Sequence, residues 1–175
     1  SRGLGDVYKR QHDFWSAYFY LHFYTVNTAK LSENVWKEAE KMLEQIQKYP
    51  QKEEYQKLVE ADRINLYERE AEKGDDRKFL EETDRVFKEN LKGDPAWKLY
   101  ERKLVYLESK QPDISREFER FLKKYPKVMD AYVEYSIYLC RNNKMTQAQR
   151  VYREGRKQTG MTSKRAEELR RKLGL

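Results

Sequence analysis

Cysteine occurs once, at Cys140, so no disulfide can close within the chain. Its neighbours Ile137, Tyr138 and Leu139 are apolar, which reads as a buried structural thiol in a reducing compartment. Histidine occurs twice, at His12 and His22, and no spacing of Cys, His and carboxylate suits zinc. For His22 the reading is packing among aromatics, against the alternative of a ligand or general base. The 7 glycines are isolated, not gathered into a phosphate-cradling loop. Long apolar runs are missing too. The most apolar stretch, 14–26, falls short of the roughly 20 residues that span a bilayer and is interrupted by His22 and polar neighbours. No segment reads as a signal peptide. Disulfide scaffolds, membrane-spanning helices, P-loop chemistry and zinc chemistry drop out. No cofactor, metal site, catalytic residue or small-molecule substrate is expected, and an intracellular location is.

Charge and rings are what the chain has in quantity. Charged residues make up 38% of it and the mean hydropathy is −1.12, a balance that alone leans toward disorder. Aromatics at 14%, with 14 Tyr, oppose that, because disordered chains are poor in rings. The 175 residues suffice for one ordinary domain, and the reading is an all-α protein with thin apolar seams. The net charge of +7 is uneven: residues 141–175 hold eleven Lys or Arg against three Glu.

The most informative stretch runs from 95 to 160. Trp97 and Tyr100 are three apart, as are Tyr132 and Tyr135, so each pair lies on one helix face. Leu104 and Leu107 continue the first face, and Leu139 the second. Pro112 suits the first turn of a partner helix carrying Ile114, Phe118, Phe121 and Leu122. Met145, Ala148, Val151, Tyr152 and Gly155 repeat that stripe. Trp97 to Tyr132 is an offset of 35 and Phe118 to Tyr152 one of 34, which is the mark of a repeat. One hairpin buries too little apolar surface to offset the ordering of its backbone, so neighbouring pairs must share faces.

Looser copies precede these two. The spacing predicts a helix over 14–26, with Trp15 and Tyr18 as the aromatic pair. A partner helix follows, led by Ser32 and carrying Val35, Ala39, Met42, Leu43 and Ile46 to a stop near Tyr49 and Pro50. A longer helix over 53–73 carries Tyr55, Leu58, Val59, Ile64, Leu66 and Tyr67 and ends at Gly74. Its partner, capped by Asp75 or Asp76, carries Phe79, Leu80, Val86, Phe87 and Leu91 and closes at Gly93. A last short helix over 162–173 has only Ala166, Leu169 and Leu173 apolar. Residues 1–11, SRGLGDVYKRQ, resemble a translated sequencing adapter, so they are expected to be non-native and the natural segment to begin near His12. The expected organisation is a single solenoid fragment over 12–175, with units at 12–50, 52–92, 95–126 and 127–160 and a terminal helix at 162–173.

The repeat resembles the half-a-TPR (HAT) family and its parent, the tetratricopeptide repeat (TPR). HAT units carry Trp-x-x-Tyr in a first helix and Ala-Arg-x-x-aromatic-Glu-Arg, followed by Pro, in a second. Trp97 and Tyr100 match the first, and Phe118-Glu119-Arg120 with Pro126 match the second. Tyr132, Tyr135 and Ala148-Gln149-Arg150-Val151-Tyr152-Arg153 form the next copy. Earlier matches are Trp15, Tyr18, Ala39, Leu43, Glu44 and Pro50, then Ile64, Tyr67, Phe87 and Lys88. Leu104 and Leu139 stand where HAT helices usually carry Glu, and the last unit also fits the TPR pattern through small Ser136 and Gly155. The resemblance implies an antiparallel helix–turn–helix array stacked as a right-handed α-solenoid of about four units. It also implies a non-catalytic scaffold that binds other proteins in an RNA-processing assembly (splicing, 3′-end processing or ribosome biogenesis), hence a nuclear location. The TPR-like auxiliary subunits of N-terminal acetyltransferases are the rival resemblance, through Phe14-Trp15-Ser16.

Two surfaces carry the functional expectation. Arg150, Arg153 and Lys157 fall at i, i+3 and i+7 on one helix face, with Arg165, Arg170, Arg171 and Lys172 continuing the basic character. They are candidate RNA phosphate contacts, or else a solvated charged surface. Tyr18, Tyr24, Tyr106 and Tyr138 are candidate interface rings on a concave wall built by the first helices, or else packing between helices. Trp15, Tyr18, Phe87, Trp97, Tyr100, Phe118, Tyr132, Tyr135, Ala148 and Tyr152 are read as the repeat seam.

Overall fold

A computed structural model describes residues 14–27, 33–47 and 53–175, with the side chains of 14–17, 20, 27, 33–36 and 54 left out of that description. The readings of residues 1–11, His12, Tyr49, Pro50 and the Trp15 side chain therefore lie outside the described residues. Within them every regular element is helical and no strand occurs. In chain order the helices are α1 (Phe14–Asn27), α2 (Glu33–Ile46), α3 (Glu53–Glu72), α4 (Arg77–Thr83), α5 (Arg85–Lys88), α6 (Gly93–Glu108), α7 (Ser115–Lys124), α8 (Met129–Arg141), α9 (Met145–Thr159) and α10 (Lys164–Lys172). The chain forms two compact units, Ser1–Glu82 and Thr83–Leu175. Their boundary falls inside the 52–92 segment that the sequence reads as one unit.

In the first unit α1, α2 and α3 pack on one another. Leu21, Ala39, Met42, Leu43, Ile46, Val59 and Leu66 form the core, with Tyr18, Tyr24 and Tyr67 against it. The inward stripe of α3 runs through Val59, Asp62 and Leu66, at i, i+3 and i+7. Leu58, expected in the seam, faces solvent instead, because that stripe leaves it on the flank.

The second unit departs from expectation at three turns. The helix expected from Phe79 to Leu91 breaks at Asp84, between α4 and α5. Asn90, with φ +51°, ends it, and Gly93 starts α6 instead of closing the helix before. A Cβ on Gly93 would lie 2.8 Å from Val128 Cγ2, so glycine there permits a close approach. Pro112 lies in the loop before α7 and not in its first turn. Asp113 instead prepares that helix, its Oδ1 accepting from the Ser115 amide at 2.8 Å.

Ring contacts hold α5, α6 and α7 together. Phe87 meets Tyr100 edge-on at 5.2 Å, and Phe121 stacks on Tyr100 and meets Trp97 at 5.2 and 5.1 Å. On the other side of α7, Phe118 stacks on Tyr135 of α8 at 4.8 Å. Helix α8 packs against α7, α9 and α10. It runs antiparallel to α7, since Tyr132, Tyr135 and Tyr138 reach Pro126, Glu119 and Asp113 in turn. It runs antiparallel to α9 as well, with Tyr132 against Gly155 and Met129 against Thr159. A Cβ on Gly155 would lie 2.6 Å from both Cβ and Cγ of Tyr132, so these two helices close because position 155 has no side chain.

Candidate functional site

A concavity of the second unit lies between α7 and α9. Its volume is about 580 Å³. Each wall is a helical stripe. Glu119, Leu122, Lys123 and Pro126 come from α7 and the turn after it, and Gln147, Arg150, Val151, Glu154 and Gln158 from α9. Both follow i, i+3, i+4, i+7, the rows that line one side of a helix. Tyr132 and Tyr135 of α8 form the floor. The Tyr135 hydroxyl donates to Glu119 Oε1 at 3.1 Å, and that of Tyr132 donates to the Pro126 carbonyl at 3.2 Å. Burial pushes the Tyr135 phenol up to about 12, with the Glu119 carboxylate adding to the shift, so it stays a donor at neutral pH.

Helices α7 and α9 both run antiparallel to α8, so from Tyr135 toward Tyr132 the α7 wall presents Glu119 and then Lys123, and the α9 wall Arg150 and then Glu154. The two walls thus carry acid and base in opposite order, and no ion pair spans the groove among the described residues. Arg150 and Lys123 are exposed, and neither forms an ion pair among the described residues.

The basic residues singled out by the sequence divide into two groups. Arg165 pairs with Glu134, and Arg170 with Glu167 at 2.8 Å and the Leu175 carbonyl at 2.7 Å. Arg150, Arg153, Lys157, Arg171 and Lys172 are exposed and form no ion pair among the described residues. Of these, Arg150 lines the groove, and Arg153 and Lys157 lie outside its lining. Of the seam residues, Trp97, Tyr100, Phe118, Tyr132, Tyr135, Ala148 and Tyr152 are buried, and Tyr18 and Phe87 are half-buried. Among the candidate interface rings, Tyr138 is not on the surface. It is buried, and its hydroxyl accepts from the Ile114 amide at 3.1 Å and donates to Asp113. Cys140 is half-buried, and burial pushes its thiol up.

Two polar clusters escaped the sequence reading. Lys103 of α6 is only 5% exposed, and its Nζ donates to Asp84 Oδ1 at 3.0 Å and Glu117 Oε2 at 2.8 Å. Arg120 joins at Asp84 from 3.2 Å with its guanidinium over the Phe87 ring, and the Tyr100 hydroxyl donates to Glu117. Burial raises the Glu117 carboxyl, but the hydrogen bonds from Lys103 and Tyr100 outweigh it and leave it below its ordinary value. In the first unit, Asp62 is 2% exposed and accepts from Thr25 Oγ1 at 3.0 Å and His22 Nδ1 at 3.0 Å. His22, read as packing among aromatics, does so on one side only. It stacks beside Tyr18 at 5.8 Å with half its side chain in solvent.

In the sequence Glu119, Pro126, Arg150 and Val151 stood only within the family motif, with Arg150 also a candidate RNA contact, and nothing set them across a groove. The two clusters gave no signal, since their members lie up to 40 residues apart. Among the described residues, no group of three or more His, Cys, Asp or Glu could hold a metal ion, and no helix is long and apolar enough to cross a membrane. No protein-family model, curated protein or solved structure matches the chain.

Proposed function

We propose that this chain is a non-catalytic scaffold built of HAT-like helix pairs stacked in a right-handed solenoid, and that it binds other proteins within an RNA-processing assembly in the nucleus. The observation that carries this reading is the environment of α8. It packs on its own partner α9, on the second helix α7 of the preceding pair and on the following helix α10. Stacked pairs bury their first helices in that way, on several sides at once. Equivalent positions of the two pairs are buried alike: Trp97 and Tyr132 at 4% and 5% exposure, and Phe118 and Tyr152 at 4% and 2%.

A second reading, a TPR-like auxiliary subunit carrying an N-terminal acetyltransferase, is favoured by one feature. Ser136 and Gly155 are small and buried where the TPR pattern wants small residues. Affinity purification of the tagged chain from cells under mild crosslinking separates the two. Splicing, 3′-end or ribosome-biogenesis factors among the captured proteins support the scaffold reading. Ribosomes with an acetyltransferase, and no RNA-processing factor, reverse the ranking.

A further inference from the structure

We propose that the groove between α7 and α9 is the docking site of a short amphipathic helix from a partner protein, one whose flanking charges alternate in a set order. This deepens the scaffold reading by giving the partner's chemistry, and it rests on that reading only for the existence of a partner.

Shape argues first. Both walls are α-helices whose own backbone groups are already bonded within each helix, so they offer an extended peptide no ladder to join. A helix brings its backbone bonds with it and needs only side-chain complementarity. The α7 stripe spans eight residues and the α9 stripe twelve, about 10 to 16 Å of helix axis, which suits two to three turns. Leu122 and Val151 are half-buried on opposite walls above the Tyr132 and Tyr135 rings, giving an apolar line along the middle. The volume of about 580 Å³ holds the side chains of one helix face and falls among those of ligand-binding clefts, roughly 300–1,000 Å³.

Charge then selects the occupant. Along the α7 wall the order is acid then base, Glu119 then Lys123. Along the α9 wall it is base then acid, Arg150 then Glu154. An RNA strand is poorly matched here, because a carboxylate stands on each wall. A uniformly acidic or basic peptide is repelled by half the wall charges. The complementary helix carries base then acid on its α7 flank and acid then base on its α9 flank. Turning that helix end for end exchanges its flanks and reverses the order along them, so the same pattern is required in either direction. A helix with every charge reversed is wrong in both.

The test uses the full chain and two synthetic helical peptides of about three turns, each with leucines at i, i+3, i+4 and i+7. One carries the complementary charges on its flanks, and its twin carries the reversed set. Fluorescence anisotropy at low and moderate salt should give at least about tenfold tighter binding for the matched peptide. The chain bearing Glu119→Arg, Lys123→Glu, Arg150→Glu and Glu154→Arg together should invert the preference. All four positions are exposed, and circular dichroism confirms that the variant is folded. Inversion in a folded variant is an outcome that a merely structural role could not produce. Equal binding of both peptides, or binding of neither, overturns the proposal. So does a uridine homopolymer that binds the wild-type chain and is lost on Arg150→Glu while the peptides fail, which assigns the surface to RNA. A charge-dependent dimer seen by sedimentation, without peptide binding, overturns it in favour of a second copy. If RNA-processing factors are still captured when the peptides fail, the groove proposal falls and the scaffold reading stands.

Discussion

Single side chains decide the second unit at two places. Gly155 is the clearer. Alanine is the better helix former by about 1 kcal/mol, yet its Cβ would sit 2.6 Å from the backbone-proximal atoms of Tyr132, which cannot swing aside. Overpacking of that kind costs about 1–3 kcal/mol, so Gly155→Ala should lower the unfolding midpoint in a urea titration despite its helix propensity. An unchanged or raised midpoint would contradict the close approach of α8 and α9. Tyr132 and Tyr135 are the second place. The sequence read them as seam residues; they are buried, and each hydroxyl also reaches a wall of the groove. Nothing in a Tyr-x-x-Tyr spacing announces that second role, because it depends on what α7 sets opposite the ring edge.

Helices as units were largely legible. The three-residue aromatic spacing and the stripes of 95–160 correspond to α6 through α9, since periodic burial is a local property of the chain. Breaks were not legible. The sequence carries a helical pattern across Asp84, and the interruption there coincides with a carboxylate held by Lys103 of α6 and Arg120 of α7. Those partners lie 19 and 36 residues on, beyond the reach of any local rule. Likewise Lys103 looks like one more solvated lysine until α5, α6 and α7 assemble around it. Removing one partner from a buried ionic cluster costs about 3–5 kcal/mol. Lys103→Ala should therefore destabilise the second unit strongly, and Lys103→Met less, because its stem still fills the space. Thermal unfolding followed by near-ultraviolet circular dichroism, which sees the surrounding Tyr and Trp rings, checks the order. Equal midpoints for wild type and Lys103→Ala would show the cluster to be energetically idle.

Across the chain the ionic contacts make acid the natural denaturant. In the second unit Glu117 lies below its ordinary value for the reasons given, and hydrogen bonds from Ser115 and then Lys144 hold Asp113 far below. Glu167 is lowered by Thr162 and Arg170. A carboxyl depressed on folding stabilises above its unfolded value, and that contribution disappears as pH falls through the folded one. Glu101 runs the other way, raised by burial and then by Glu134, so it opposes the trend. Glu70 of the first unit is likewise raised, by burial and then by Asp75, so three lowered groups stand against two raised ones, and denaturant midpoints should fall as pH drops below about 4, the ordinary carboxylate range. Lys103→Met should flatten that dependence, since Glu117 then loses its main donor. A wild-type midpoint that rises in acid would reverse the argument. The overall basic excess was readable from counting, but not its division. Arg141, Lys144, Arg156, Arg165 and Arg170 are matched to acids, while Arg150 in the groove and the exposed Arg153 and Lys157 form no ion pair among the described residues.

The rings beneath the groove have one more consequence. Because the same two tyrosines brace neighbouring helices, the depth of the hollow cannot drift without loosening the fold, whereas the residues on its rims are free to change. Novelty in what is recognised would have to be written in the rims alone, as a reshuffling of charge over an unaltered bed.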